Sequence, residues 1–230
     1  MLFRSNRVLA LLSRLMTLCE VWELRPPGSN PCRHVEKFKE TPRTRFLGPS
    51  ELEKLGEALR EMVASAEIQP SAANAIRLLL LTGARLNEVL TAKWEWVETE
   101  RQLIALPDSK TGAKPIYLSD AALAVLDDQK SNTGSSSFLF PGTGVEGRMI
   151  NLRKPWGRIC LRAELQQVRL HDLRHTAASV AVAQGASLPV IGKLLGHSQA
   201  QTTQRYAHED TDPALRAANA VGGAMKSILA

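Results

Sequence analysis

Apolar residues recur at Leu52, Leu55, Leu59 and the pair Met62-Val63, at steps of three or four positions, with mostly charged residues between them. That spacing predicts an amphipathic helix, opened by a capping box in which Ser50 is followed by Glu53. The next run, "PSAANAIRLLLLTGA", is apolar nearly all round. It predicts a central helix that Gly83 stops. "RLNEVLTAKW" predicts a third helix. The pattern then changes. Val97, Ile104 and Tyr117 sit in short extended runs, and Ser109-Lys110-Thr111-Gly112 has the composition of a hairpin turn. A small three-stranded antiparallel sheet is expected there. Ser119 caps a further helix to about Gln129, and "SNTGSSS" reads as a flexible loop.

Helices are expected again over residues 150–163, 172–184, 187–195, 199–206 and 212–228. Asp212-Pro213 starts the last of these, an N-cap followed by proline at the first helical position. Its apolar stripe, Leu215, Ala218, Val221, Met225 and Ile228, must be buried on its own domain or on a neighbouring subunit. Gly222-Gly223 weakens it in the middle.

At the other end, Val8, Leu12, Leu15, Cys19 and Val21 predict one amphipathic helix over residues 6–22. A single such helix needs a partner for its apolar face. "RPPGSNPCRH" breaks it with three prolines and a glycine, and "VEKFKETPRTRFLG" reads as a basic linker. The chain therefore divides into residues 1–44, the end of one domain with its linker, and residues 45–230, a complete second domain. The fold class is mainly α with one small antiparallel sheet.

Composition adds three points. Hydrophobic residues make up 44% of the 230 positions and charged residues 23%, so a core of ordinary size is expected. The net charge of +6 favours a polyanionic partner, nucleic acid first and an anionic membrane second. Cys19, Cys32 and Cys160 are odd in number and form no C-x-x-C pair. Neither a zinc ribbon nor a disulfide framework is readable, which fits a reducing cytoplasm. Arg14 interrupts the apolar N-terminus before a signal peptide can form, and no run reaches membrane-span length.

"RLHDLRHTAASVAVAQG" carries the densest chemistry: His171, Arg174 and His175 within five positions. Two histidines at i, i+4 suit zinc. The metalloprotease pattern, however, needs glutamate after the first histidine, where this chain has the shorter Asp172, and Arg174 would hold a positive charge beside the cation. An anion site fits better. A guanidinium matches phosphate bidentately, an imidazole adds a hydrogen bond, and a helix start favours negative charge. A solvated polar helix end is the bland alternative for this stretch alone.

Other stretches repeat the theme. Arg85 follows a glycine stop with Glu88 three residues on, Lys110 lies in the hairpin turn, and His197 precedes Tyr206 by nine positions. Singly, each reads as an ordinary surface residue. Together, T-G-A-R-L-N-E, S-K-T-G, H-D-L-R-H-T, L-G-H-S and T-T-Q-R-Y-A-H resemble, in order and spacing, the catalytic domain of the tyrosine recombinases, the phage integrase family. The resemblance covers roughly residues 45–210.

The resemblance implies a site of Arg85, Lys110, His171, Arg174, His197 and Tyr206, with Glu88 orienting an arginine. Tyr206 would attack a DNA phosphodiester and form a 3′-phosphotyrosine, the arginines and histidines would hold the phosphate oxygens, and Lys110 would protonate the leaving 5′-oxygen. No metal, ATP or other cofactor is implied. The partners implied are double-stranded DNA, further copies of the chain in a tetramer on DNA, and accessory DNA-bending proteins. A bacterial cytoplasmic setting, at the nucleoid, follows. Residues 6–22 would be the last helix of a core-binding domain, which makes the chain look like a shortened recombinase. Two rival functions are a type IB topoisomerase with a similar site and a DNA-binding remnant that does not cut.

Overall fold

The computed structural model describes residues 2–40, 45–107, 112–196 and 203. Two compact units divide the chain, residues 1–44 and residues 45–230.

In the first unit, helix α1 (Leu2–Val21) is followed by a 3₁₀ turn at Pro31–His34. Asn30 ties the two together. Its amide donates to the Ser13 carbonyl (2.9 Å) and to Thr17 Oγ1 (3.1 Å), while its own oxygen accepts from Cys32 N–H (2.9 Å). Val8, Leu12, Leu15 and Val21 remain exposed.

The second unit contains α2 (Pro49–Ala64), α3 (Pro70–Thr82), α4 (Leu86–Leu90), β1 (Val97–Glu98), β2 (Leu103–Leu106), β3 (Lys114–Tyr117), α5 (Asp120–Thr133), α6 (Arg153–Arg162), α7 (Asp172–Ala183) and α8 (Leu188–Leu195). Helix α3 is central, as its composition predicts. Ala73, Ala75, Ile76 and Leu78 are fully enclosed, and the helix packs on α2, α4, α5 and α7. The expected stripe on α2 is present, with Leu55, Leu59 and Met62 buried and Leu52 and Val63 packed against the core. The three strands form one antiparallel sheet in the order β1-β2-β3, with Val97 opposite Ile104 and Ile104 opposite Ile116.

Three details differ from the sequence expectations. Helix α2 starts at Pro49, with Gly48 as N-cap and Glu51 Oε2 accepting the Gly48 N–H (3.1 Å). Proline is preorganised for the first helical position, so it sets the start before the Ser50–Glu53 pair can. The third helix is only one turn long, Leu86–Leu90, because the chain then turns to bring Lys93 into a bridge with Phe138. Helix α5 runs on through Ser131-Asn132-Thr133, where a loop was expected. Gln129 and Thr133 hold it there by donating to the Leu139 carbonyl (2.8 and 3.3 Å), a tertiary contact that overrides local propensity.

The C-terminal part of the described domain is held less heavily. Helix α8 meets α7 through a small separate cluster of Ala178, Val182, Ile191 and Leu195. The hairpin tip at Ser109-Lys110-Thr111, the expected helices over 199–206 and 212–228, and the segment bearing His197 and Tyr206 lie outside the described residues, apart from Thr203. Among the described residues no helix is long and apolar enough to cross a membrane.

Candidate active site

Helices α3, α7 and α8 meet at Gly83. It terminates α3 with φ +63°, and a Cβ there would lie 2.7 Å from Leu195 Cδ2 of α8 and 3.3 Å from Ala177 Cβ of α7. Both the left-handed backbone and the close approach require glycine. Two residues later Arg85 is the N-cap of α4.

Arg85 is organised by Glu88. The carboxylate accepts the Arg85 backbone N–H at Oε2 (2.8 Å) and the guanidinium at Oε1 (2.8 Å). Glu88 is buried, and the same Oε2 also takes the ammonium of Lys114 (2.8 Å). Burial alone would raise the carboxyl's pKa. The hydrogen bonds from Lys114 and Arg85 outweigh that and hold it below its ordinary value. A carboxyl depressed in the folded state contributes stability that is fully present above its unfolded-chain pKa of about 4.3 and is lost as pH falls through the lower folded value. Urea midpoints of the parent and Glu88→Gln should therefore differ by a constant amount near neutral pH and converge in acid. A gap that does not narrow in acid would show that Glu88 is not held ionised there.

Arg174 lies one turn into α7, 3% exposed. Its guanidinium donates to the carbonyls of Gly83 (Nη1, 2.6 Å) and Leu195 (Nη2, 2.8 Å). These carbonyls close the C-terminal ends of α3 and α8, where helix dipoles concentrate negative partial charge. The Leu195 carbonyl also accepts from Lys114 Nζ (3.3 Å). A ring of contacts therefore runs Arg85–Glu88–Lys114–Leu195–Arg174–Gly83 and closes two residues before Arg85. It links three cations but only one carboxylate, which two of them touch, so the net charge is positive and suited to an incoming anion.

His171 is the N-cap of α7 and is exposed, and its ring meets that of the buried His175 edge to face, with centroids 5.1 Å apart. Asp172 is buried and structural. Its carboxylate accepts the Arg169 N–H (2.8 Å), while its carbonyl takes the Thr176 hydroxyl (2.8 Å), whose oxygen in turn accepts the Leu47 N–H (2.9 Å). Among the described residues no group of three or more His, Cys, Asp or Glu is placed to hold a metal ion.

Of the residues singled out in the sequence, Arg85, Glu88, His171 and Arg174 lie among the described residues, and Arg85, Glu88 and Arg174 belong to the one ring. Lys110, His197 and Tyr206 lie outside the described residues. Lys114 was not foreseen. The signal available for it is strand alternation, which places it on the same face of β3 as buried Ile116.

Residues 45–212 match the phage integrase family. The chain is 26% identical over 179 residues to the integrase of Salmonella phage P22, covering 72% of this chain and 44% of that protein. It is 30% identical over 173 residues to the tyrosine recombinase XerC of Erythrobacter litoralis, covering 74% of this chain and 56% of that protein. The chain thus spans about half the length of these relatives. Its backbone matches that of a lambda integrase dimer bound to a COC′ core site with a TM-score of 0.66 at 20% identity, covering 86% of this chain and 57% of that one. The likeness is one of fold: a mainly helical domain with a three-stranded antiparallel sheet, as in tyrosine recombinase catalytic domains.

Proposed function

The chain belongs to the phage integrase family of site-specific tyrosine recombinases, and from that premise we propose that it cuts and rejoins double-stranded DNA through a covalent phosphotyrosine. The observation that carries this reading is the ring that fixes Arg174 on the Gly83 carbonyl and Arg85 on Glu88, two residues past Gly83 in the chain. A phosphodiester under attack gathers negative charge on its non-bridging oxygens. Guanidinium groups already held in place stabilise that charge without reorganising, which is usually the largest catalytic term.

In the proposed reaction Tyr206 Oη attacks phosphorus and its proton passes to His171. The P–O5′ bond breaks, Lys110 protonates the departing 5′-oxygen, and a 3′-phosphotyrosine remains. His197 adds a hydrogen bond to the phosphate. Attack by a 5′-hydroxyl reverses each step and reseals a strand. One phosphodiester is exchanged for another, so the energy of the bond is kept. A tetramer on two duplexes, with the C-terminal tail linking its subunits and DNA-bending proteins shaping the sites, is the assembly this reading expects. Residues 1–44 would be the end of a core-binding domain and its linker.

Trapping on a nicked suicide duplex tests the reading. The short strand released after cleavage diffuses away, so the adduct accumulates and survives denaturation. A sequence-dependent adduct supports a recombinase. Sequence-tolerant relaxation of supercoiled plasmid would point instead to a topoisomerase. DNA binding without an adduct would point to a non-cleaving remnant.

A further inference from the structure

We propose that Lys114 is a positioning residue for DNA cleavage, locking the sheet, Glu88 and the end of α8 into one arrangement; this rests on the strand-cleavage reading above. Lys114 opens β3 opposite Leu106, on the face that carries Ile116. Its side chain is 10% exposed, so little of it can meet a DNA backbone directly. Burial pushes the ammonium below its ordinary pKa, against the opposing pull of Glu88, while the charges of Arg85 and Arg174 add to the lowering. A methionine would fill the space without that electrostatic cost.

What the lysine touches gives it a use. Each of its two acceptors is shared with an arginine: Glu88 with Arg85, and the Leu195 carbonyl with Arg174. Remove the ammonium and Glu88 keeps its full charge with one fewer cation beside it, so Arg85 is drawn toward the carboxylate and away from an incoming phosphate. The Leu195 carbonyl loses one of its two donors at the same time.

The next residue reinforces the point. Gly196 ends α8 with φ +67°, and a Cβ there would lie 2.7 Å from both Cδ and Nζ of Lys114. The glycine of the L-G-H-S stretch is thus fitted to the lysine of β3. His197 follows directly, and Lys110 lies four residues before Lys114. One ammonium therefore joins the strand leaving the hairpin to the chain entering L-G-H-S. Helix α8 otherwise rests on its small cluster with α7.

The test measures adduct formation by the full chain on the nicked suicide duplex at saturating DNA, together with DNA affinity and the urea midpoint. Lys114→Met is expected to slow cleavage about 10- to 100-fold, the scale of a misplacement near 1 Å, with DNA affinity little changed. Lys114→Arg should recover most of the rate, since it keeps a donor and the charge. A folded Lys114→Met that cleaves at the parental rate, or that loses affinity alone, overturns the inference. If Lys114→Met does not fold, Gly196→Ala decides. It displaces the lysine without removing it, and should slow cleavage at saturating DNA; a parental rate overturns the inference. Should the parent itself bind DNA and form no adduct, the strand-cleavage reading fails and this inference falls with it. An adduct formed equally by parent and Lys114→Met overturns this inference alone.

Discussion

Tyr206→Phe is expected to bind DNA as the parent does and to form no covalent adduct at all. The substitution removes one oxygen and keeps the ring, so packing and encounter with DNA change little while the only atom that could bond phosphorus is gone. Its phenol has a reference pKa near 10. Attack at neutral pH therefore needs a base and a positive field, and the ring joins three cations, Arg85, Lys114 and Arg174, to only one carboxylate. The chain has two tyrosines, which makes the experiment decisive. Tyr117 closes β3 opposite Leu103, within the sheet. Tyr117→Phe should keep the adduct. Radiolabelled suicide DNA, followed by denaturing gels, reads both variants. An adduct that persists in Tyr206→Phe and disappears in Tyr117→Phe would reassign the nucleophile.

Much of the scaffold was legible because it obeys local rules. Ser119 caps α5 by accepting the Ala122 N–H (3.3 Å), Gly83 ends α3 in the left-handed region, and the short extended runs pair into the expected three-stranded antiparallel sheet. The failures have specific causes. Ser50–Glu53 fits a capping box, but Pro49 fixes the first helical position two residues earlier, with Gly48 as the N-cap. "SNTGSSS" has loop composition, yet its first three residues stay helical because Gln129 and Thr133 find the Leu139 carbonyl.

The candidate site divides in the same way. Arg85 and Glu88 are three apart, and their pairing follows from helix geometry. Arg174 was visible as a residue, but its partners are backbone carbonyls 91 and 21 positions away. Every residue offers a carbonyl, so no side-chain pattern marks these two. Lys114 was hidden for another reason. A lysine beside a turn reads as solvated, and only its register with Ile116, together with a carboxylate on another element, turns it inward. Local pattern thus revealed the groups that carry charge, and tertiary placement revealed what holds them.

Arg174→Lys is expected to lower the cleavage rate at saturating DNA by about 10²–10³, the usual cost of one preorganised donor. Charge is conserved in this variant, so simple electrostatic attraction predicts little change. Geometry predicts otherwise. The guanidinium uses separate nitrogens for the Gly83 and Leu195 carbonyls, and its planar fork is thereby held in one orientation. An ammonium is a compact charge on a flexible stem and cannot reproduce that fork. It would settle on one helix end: leaving the Gly83 carbonyl without this donor would cost about 1–3 kcal/mol in stability, whereas the Leu195 carbonyl would keep Lys114. Rates must therefore be taken well below the unfolding midpoint, with circular dichroism confirming the fold. DNA affinity should fall far less than the rate, because a side chain 3% exposed contributes little to the first encounter with DNA. The two losses separate cleanly: the unfolding midpoint reports the lost helix-end hydrogen bond, and the single-turnover rate reports the missing fork. A folded Arg174→Lys that cleaves near the parental rate would show that positive charge alone suffices at this position, and the bidentate clamp would have to be abandoned.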